Sequence, residues 1–135
     1  MIELTAEMRA FLSEPRFAVL ATLNPDGSAQ QTVIWYELRQ DEVLMNTTPR
    51  RRKAQNLIND ARASLCVPDG YRYITLAGRI VRSIDDQSIA RADIHRLGVR
   101  YDGQAEADRQ MHETWSHQQR MTVFMAIERV VSDGF

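Results

Sequence analysis

One stretch begins the sheet on which the rest of the chain is built: Arg16-Phe17-Ala18-Val19-Leu20-Ala21-Thr22-Leu23-Asn24-Pro25-Asp26-Gly27. Residues 16–23 are an apolar run of strand length, and four turn-forming residues follow it directly. Pro25 restricts φ and Gly27 permits a positive φ, so this segment predicts a tight turn. Residues 28–38 alternate in part between polar and apolar, which predicts the return strand of a hairpin. The chain is therefore expected to begin on an antiparallel sheet.

Four further segments have the composition and length of strands, at residues 43–47, 62–67, 71–84 and 121–131. Turn residues at 39–42 and 68–70 separate neighbouring segments. Gly78, inside the longest segment, predicts a bend or bulge of the kind a sheet needs in order to close. We therefore expect a mainly β (α+β) fold in one domain, residues 1–135, built as a six-stranded antiparallel barrel with peripheral helices.

Helical signals lie between and before these strands. Thr5 is positioned to cap a short amphipathic helix that runs to residue 13. Asp85 is positioned to cap a helix that runs to about Leu97 and is ended by Gly98. The residues expected to face inward on this second helix are Ile89, Ala92 and Leu97. A further polar helix is expected over residues 104–118, and Trp35 and Trp115 are expected to serve as core or dimer contacts.

A basic run follows the third predicted strand, with Thr48-Pro49 in front of four consecutive cations, Arg50–Lys53. Thr48 suits a helix N-cap and Pro49 suits the first helical position. Cations are unfavourable at this positive end of a helix unless an anion is present. At about 100° per residue, Arg51 and Lys53 flank the start of the helix, whereas Arg52 points away. The buried stripe is expected to consist of Ala54, Leu57 and Ile58.

A helix start with free amides, a guanidinium and an ammonium group suits a phosphate group. The basic run therefore predicts an anion site. The alternative interpretation is a solvated basic surface, which is the common role of a charge run.

Composition limits the remaining classes of function. The chain carries 17 basic and 18 acidic residues, so it lacks the overall positive charge of a nucleic-acid or anionic-membrane binder. A single cysteine, Cys66, lies in an apolar segment, which excludes an internal disulfide and indicates a buried thiol in a reducing compartment. We find no signal peptide and no apolar run of membrane-spanning length, and we expect a cytoplasmic protein.

Other catalytic patterns are missing from the sequence. His95, His112 and His117 show neither the spacing nor the flanking carboxylate of a helical zinc site, so no metal is expected. There is no glycine-rich phosphate loop, serine nucleophile elbow or Cys-His pair. We identify no catalytic acid. An enzyme remains compatible with this sequence, because a flavin-type cofactor carries its own hydride chemistry.

The order of the motifs resembles that of a known family. The motifs are Ala18-Val19-Leu20-Ala21-Thr22-Leu23, Pro25-Asp26-Gly27, Arg51-Arg52-Lys53-Ala54-Gln55-Asn56-Leu57 and Asp60-Ala61-Arg62-Ala63-Ser64. In this order they resemble the pyridoxamine-phosphate-oxidase-like split β-barrels of the FMN-binding type. The resemblance is to the flavin and deazaflavin oxidoreductase branch, whose small members use coenzyme F420, and it covers roughly residues 17–82 and the last strand.

The resemblance implies a homodimer with two cofactors in grooves at its interface. The cofactor-binding positions that it implies are Arg51, Lys53 and Asn56 for the phosphate, Gln30, Thr32, Asn46 and Thr47 around the ring, and Tyr71 and Tyr73 from the other subunit. Thr32 also suits plain packing within a strand, and Tyr71 and Tyr73 also suit cross-strand pairing.

We therefore expect an F420-dependent oxidoreductase, most simply a reductase that transfers a hydride to a small organic substrate. Relatives bind FMN, F420, heme or biliverdin in the same groove, so an FMN-dependent oxidase or reductase and a flavin or tetrapyrrole carrier are the alternatives. F420 ranks first because four cations exceed what one phosphate uses, and its tail adds carboxylates. A nucleic-acid contact would need a wider basic stripe with interleaved aromatic residues.

Overall fold

The protein was analysed as a computed structural model, which describes residues 3–135. Its strands are β1 (Ala18–Leu23), β2 (Ala29–Ile34), β3 (Glu37–Arg39), β4 (Glu42–Thr47), β5 (Arg62–Asp69), β6 (Arg72–Ile84) and β7 (Met121–Asp133). Its helices are α1 (Ala6–Ser13), α2 (Arg52–Asn59), α3 (Gln87–Asp102) and α4 (Gln104–Glu113), and a 3-10 turn follows at Trp115–His117.

All seven strands form one antiparallel sheet in the order β2-β1-β5-β6-β7-β4-β3. The two edge strands, β2 and β3, are joined by only Trp35 and Tyr36. Three Cα steps span at most about 10 Å, so the edges must approach each other at this point. The sheet therefore curls into a half-barrel, which confirms the predicted mainly β class with peripheral helices.

The predicted number of six strands is wrong, because the segment 28–38 is two strands rather than one. The break falls at Tyr36, whose side chain is fully buried and donates its hydroxyl to the carbonyl of Leu12 at 2.8 Å. The backbone N–H of Tyr36 donates to the hydroxyl of Tyr101 at 3.2 Å instead of to a neighbouring strand. A side chain on α3 thus replaces the strand ladder where the chain turns from one edge to the other.

Two apolar clusters hold the fold together. The larger fills the half-barrel with residues such as Leu12, Leu20, Leu65, Leu76 and Met125, all at most 2% exposed. The smaller lies between α3, α4 and the strands β4 and β7; its buried members are Leu44, Ile94, Leu97, Ala107, Trp115 and Phe124. Trp115 is therefore a core residue, as predicted, and Trp35 packs against the same cluster.

The helix caps are confirmed in part. Thr5 caps α1 as predicted, because its hydroxyl accepts from the N–H of Met8 at 3.1 Å. The cap of α3 is Asp86 rather than Asp85, since the Asp86 carboxylate accepts from the N–H of Ser88 at 2.9 Å. The helix then runs five residues beyond the predicted end.

The predicted inner face of α3 is wrong except for Leu97. Ala90, Asp93, Ile94 and Leu97 face inward, whereas Ile89 is 44% exposed. Ala92 is also exposed. Gly98 does not end the helix; a Cβ built there would lie 2.7 Å from the Cη2 of Trp115. The absence of a side chain at this position lets the indole ring pack against the helix. Helix α3 ends instead at Gly103, which has a φ of 91°.

Gly78 confirms the predicted irregularity in the longest strand. The pairing of β6 with β7 shifts register between Ala77 and Gly78, and a Cβ at Gly78 would lie 1.7 Å from the carbonyl oxygen of Ala126. Only a glycine fits at this close approach of two backbones.

The outer face of the sheet carries a straight row of small and β-branched side chains across five strands. The register joins them in the order Val33, Val19, Cys66, Thr75 and Val131. Val33 is 65% and Val131 is 47% exposed, and Cys66 is half-buried rather than buried as predicted. The protein thus presents an apolar sheet face to solvent.

A second row of residues lies beside the first and has smaller side chains. Ala21, Ser64 and Ala77 are consecutive partners across β1, β5 and β6. They line a groove of about 590 Å³ on the same face.

Candidate functional site

The basic run begins with a turn rather than with the helix itself. The N–H of Arg51 donates to the carbonyl of Thr48 at 3.2 Å, and α2 starts at Arg52 with Arg51 as its N-cap. The predicted Thr48 cap and Pro49 start are therefore wrong. Pro49 suits this outcome equally well, because its fixed φ also favours the second position of a turn. The side chain of Gln55 then donates to the Pro49 carbonyl at 2.8 Å and holds the turn against the helix.

The buried face of α2 is half polar. Ala54 and Leu57 are buried as predicted, but Ile58 is 70% exposed, and the other two buried positions are Lys53 and Asn56. Polar groups are tolerated here because α2 lies over the threonines of β1 and β2 and over Asn24 in the turn after β1.

Lys53 and Asn56 reach different partners on these strands. The ammonium of Lys53 donates to the hydroxyl of Thr32 on β2 at 3.2 Å. The amide of Asn56 donates to Thr22 at 3.1 Å and to Asn24 at 2.9 Å. Asn56 is fully buried and thus ties α2 to the first hairpin, whereas Lys53 lies at the wall of a cavity.

A second buried cation, Arg120, is close enough for its charge to act on this lysine. It is 6% exposed and Lys53 is 8% exposed. Its Nε donates to the Oδ1 of Asn46 at 3.0 Å, and its Nη1 donates to Gln118 at 2.7 Å. The charge of Arg51, an exposed residue that lines the same cavity as Lys53, acts on both cations.

The three charges repel one another. Burial lowers the pKa of Lys53, and the neighbouring charges of Arg51 and Arg120 lower it further. Burial, together with the charge of Arg51, lowers the pKa of Arg120 to about 10. Within residues 3–135, none of the three forms a salt bridge with a carboxylate. Three clustered cations without a counter-charge form a site that an anion would stabilise.

The cavity that Arg51 and Lys53 line is cationic in part and apolar in part. It measures about 180 Å³, and its lining consists of Phe17, Val33, Ile34, Trp35, Asn46, Arg51, Lys53, Ile94 and Leu97. Trp35 is held in place by stacking on Tyr101, with ring centroids 5.2 Å apart. Phe17 is 62% exposed and forms the open edge. An aromatic ligand with an attached phosphate matches this division of the cavity.

The other residues predicted to surround the cofactor ring are Asn46, Thr47 and Gln30, and they differ in whether they line the cavity. Asn46 lines the cavity directly. The hydroxyl of Thr47 and the Oε1 of Gln30 are buried and have no hydrogen-bond partner within residues 3–135. Gln30 pairs with Thr22 on β1. It lies two residues along β2 from Thr32, whose hydroxyl accepts a hydrogen bond from Lys53.

Two predicted residues lie elsewhere in this subunit. Tyr71 is 99% exposed in the turn between β5 and β6, and Tyr73 pairs with Asp133 at the end of β7. Neither lines the cavity of its own chain. Their assignment to the site of a second subunit stays a prediction.

Arg120 is the residue that sequence reasoning missed. It stands alone in a polar segment, and nothing in its neighbourhood signals an anion site. The useful signal would have been its position directly before the last strand, because β7 pairs with β4 and β4 leads into the basic run.

The histidines are placed away from this cavity. His95 lies on α3 and pairs with Asp108 of α4 at 2.7 Å. No group of three or more His, Cys, Asp or Glu side chains in residues 3–135 is arranged to hold a metal ion. In the same part of the chain, no helix has both the length and the apolar character needed to cross a membrane.

The sequence matches the family model described as pyridoxamine 5'-phosphate oxidase over residues 4–129. None of the curated proteins matches the chain.

Several solved structures share the fold. One described as an F420 reductase has 21% identity and a TM-score of 0.78, and the match covers 95% of this chain and 98% of that one. A conserved hypothetical protein from Mycobacterium tuberculosis has 26% identity and a TM-score of 0.74, with 98% and 85% covered. The heme storage protein of Vibrio cholerae has 17% identity and a TM-score of 0.72, with 99% and 97% covered.

Proposed function

The chain belongs to the pyridoxamine 5'-phosphate oxidase family, and we propose that within it the protein is an F420-dependent oxidoreductase, most simply a reductase of a small organic substrate. The observation that carries this proposal is a cavity whose lining combines the cations Arg51 and Lys53 with apolar and aromatic side chains, while the charge of the buried Arg120 acts on Lys53. A structural neighbour described as an F420 reductase supports it through a shared fold.

The donor set fits the phosphate of such a cofactor. Arg51 offers an exposed guanidinium, Lys53 a mobile ammonium, and Arg120 a guanidinium whose Nη2 has no hydrogen bond within residues 3–135. Burial and the neighbouring positive charges lower the pKa of Lys53, and a phosphate placed among the three cations would offset the second of these effects. Exposed Arg50 and Arg52 leave further positive charge for the carboxylates of the F420 tail, which FMN lacks.

The apolar part of the cavity lining suits the ring system. Trp35, Ile94 and Leu97 provide an apolar wall that excludes water, and Asn46 adds a polar group to the lining. The hydroxyl of Thr32 accepts a hydrogen bond from Lys53. When bound, reduced F420 supplies a hydride, and the side chains around it bind, orient and shield the reactants.

A heme carrier is favoured less by this cavity. Its lining residues include no histidine, cysteine or methionine, and His95, His112 and His117 lie on the helical insert between β6 and β7, residues 87–117. Heme iron in proteins is held by an axial His, Cys, Met or Tyr ligand, and the lining of this cavity offers none of the four.

The site requires a second subunit, which we include in the proposal. A volume of about 180 Å³ is below the roughly 300–1,000 Å³ typical of ligand pockets. Val33 belongs both to the lining of the cavity and to the apolar row on the outer sheet face. A second copy of the chain seated on that row would therefore border the cavity and complete its walls.

The experiment that tests the proposal is titration of the purified protein with F420 and, separately, with FMN, followed by fluorescence. Saturable binding of F420 with the tighter dissociation constant is the expected result. Oxidation of reduced F420 in the presence of electron-poor unsaturated compounds then identifies the substrate. Tighter binding of FMN, or purification with bound yellow FMN, would favour the FMN-dependent alternative.

A further inference from the structure

A chain of hydrogen bonds connects a buried carboxylate on α3 to the cationic cluster. The hydroxyl of Thr122 donates to the Oδ2 of Asp93 at 2.8 Å. The Nδ2 of Asn46 donates to the same hydroxyl at 3.0 Å, and the Nε of Arg120 donates to the Oδ1 of Asn46 at 3.0 Å. Asp93 is 6% exposed and Thr122 is fully buried, so solvent cannot replace these partners.

The direction of this chain follows from the carboxylate. An ionised carboxylate only accepts hydrogen bonds, and a threonine hydroxyl has a single proton to donate. Because Thr122 gives that proton to Asp93, it must accept from Asn46. The amide of Asn46 then directs its nitrogen toward Thr122 and its oxygen toward Arg120. The carbonyl of Ala90, which accepts from the same nitrogen at 2.9 Å, favours the same orientation.

Asp93 is itself held in one orientation. Its other oxygen, Oδ1, accepts from the Nη1 of Arg96 at 2.9 Å, and Arg96 also donates to Glu37 on β3 at 3.1 Å. Oδ2 is therefore left for Thr122. Every link from α3 to the cluster has one donor and one acceptor in a defined order.

As a result, one nitrogen of the Arg120 guanidinium, Nη2, is left without a hydrogen bond within residues 3–135. Its Nε and Nη1 are occupied by Asn46 and Gln118. Its backbone N–H and carbonyl are both bound by the side-chain amide of Gln87 on α3, at 2.8 and 2.9 Å. Its Nη2 has no partner within residues 3–135 and is not among the nitrogens sealed from solvent in that range. This nitrogen remains for an anion.

We propose that Asp93, which does not line the cavity, is a positioning residue for the anion site, acting through Thr122 and Asn46 to orient Arg120. Helix α3 would then contribute to anion binding through Asp93, a residue that does not itself touch the anion. This inference rests on the proposed function in one respect, because the anion is taken to be the phosphate of the cofactor.

The test uses the full chain without cofactor and a matched pair of variants. Thr122→Val keeps the shape of the side chain but removes the hydroxyl, whereas Thr122→Ser keeps the hydroxyl. The readout is the ¹⁵N-¹H signal of the Arg120 Nε–H group, identified by its loss in Arg120→Lys, with inorganic phosphate as the titrated anion. We expect the signal to shift in Thr122→Val and phosphate to bind about tenfold more weakly, while Thr122→Ser retains both properties.

Asp93→Asn provides a second variant if Thr122→Val does not fold. If its amide oxygen accepts from Arg96, the new asparagine would direct its NH2 group toward Thr122. The Thr122 hydroxyl would then have to accept a hydrogen bond from residue 93 instead of donating one. We expect the same shift of the Arg120 signal. An unchanged Nε–H signal and unchanged phosphate affinity in folded Thr122→Val and Asp93→Asn would overturn the inference.

The outcome is separable from that of the proposed function. If the Arg120 signal and phosphate affinity respond to Thr122→Val but F420 does not bind, the positioning role stands and the assignment of the cofactor is wrong. If F420 binds tightly and equally to wild-type, Thr122→Val and Thr122→Ser proteins, the function stands and Asp93 has no positioning role.

Discussion

The Nε of Arg120 lies 3.0 Å from the Oδ1 of Asn46, and this contact brings a cation from the last strand segment to the end of β4. β4 leads directly into the turn that presents Arg51 and Lys53. The positive charge of the site therefore has two origins in the chain, which meet because β4 pairs with β7.

Removing either buried cation should weaken cofactor binding strongly. Lys53→Ala or Arg120→Ala each removes a charge-assisted hydrogen bond of about 1.5–3 kcal/mol, which corresponds to a ten- to hundredfold loss of affinity for F420. Arg51→Ala should have a similar effect. Arg52→Ala is the matched control from the same run and should change affinity little. Fluorescence titration measures all four, and an Arg52→Ala loss equal to that of Arg51→Ala would indicate a diffuse basic surface.

The unliganded protein should become more stable as the pH is raised through the lowered pKa of Lys53. The pKa of this lysine in the folded state lies below the 10.5 of the unfolded chain, so the unfolded state binds more protons in that interval. Stability then rises with pH there. Urea unfolding at a series of pH values from 7 to about 10.5 measures this slope for the wild-type protein. Lys53→Met should remove this part of the slope, and an identical slope in both proteins would contradict a lowered pKa of Lys53.

The preference for F420 should depend on salt. Contacts of Arg50 and Arg52 with the carboxylate tail are exposed, and exposed ion pairs are weak and screened by salt. The affinity for F420 should therefore exceed that for FMN at low ionic strength, and the advantage should shrink as salt is added. Parallel titrations at about 20 and 500 mM NaCl test this. Tighter binding of FMN at both concentrations would reverse the ranking.

The protein should be a dimer at low micromolar concentration, with the apolar row of the outer sheet face at its interface. Val131→Asp places a charge on that row, which should give monomers and weaken cofactor binding together. Ile89→Asp, at a similarly exposed apolar residue on α3, is the control and should leave the dimer intact. Sedimentation velocity measures the assembly. A well-folded wild-type monomer over this concentration range would contradict both the predicted dimer and the assignment of Tyr71 and Tyr73 to a partner's site.

Gly98→Ala should destabilise the helical insert by about 1–3 kcal/mol, because the new methyl group would overlap the indole of Trp115. Gly98→Ala combined with Trp115→Leu should cost less than the sum of the two single changes, since the smaller side chain makes room for the methyl group. Thermal unfolding of the three variants measures the coupling. Additive losses would show that the contact between Gly98 and Trp115 does not limit packing.

Local patterns were enough to predict most elements of this fold. The apolar run before Asn24-Pro25-Asp26-Gly27, the Thr5 cap and the irregularity at Gly78 depend on neighbouring residues or on backbone freedom, and all three are found in the structure. The basic run likewise indicated a local excess of positive charge, because four adjacent cations can be recognised without tertiary information.

Predictions that depended on which face is buried were less successful. The inner face of α3 differs from the expected one because Ile94 and Leu97 pack into the cluster that contains Trp115, which leaves Ile89 toward solvent. Ile58 is exposed and Asn56 is buried because α2 lies over the polar ends of β1 and β2. Such choices are made by the partner surface rather than by the periodicity of the helix itself.

The sequence by itself therefore determined the antiparallel hairpins, the order of the elements and the basic segment, since each is set by contacts between residues close along the chain. Only the tertiary structure decided that residues 28–38 break at Tyr36, because the phenol of Tyr101 on α3 takes the place of a neighbouring strand there. It also decided that Arg120 joins Lys53, because the pairing of β4 with β7 brings together residues that are distant in the sequence.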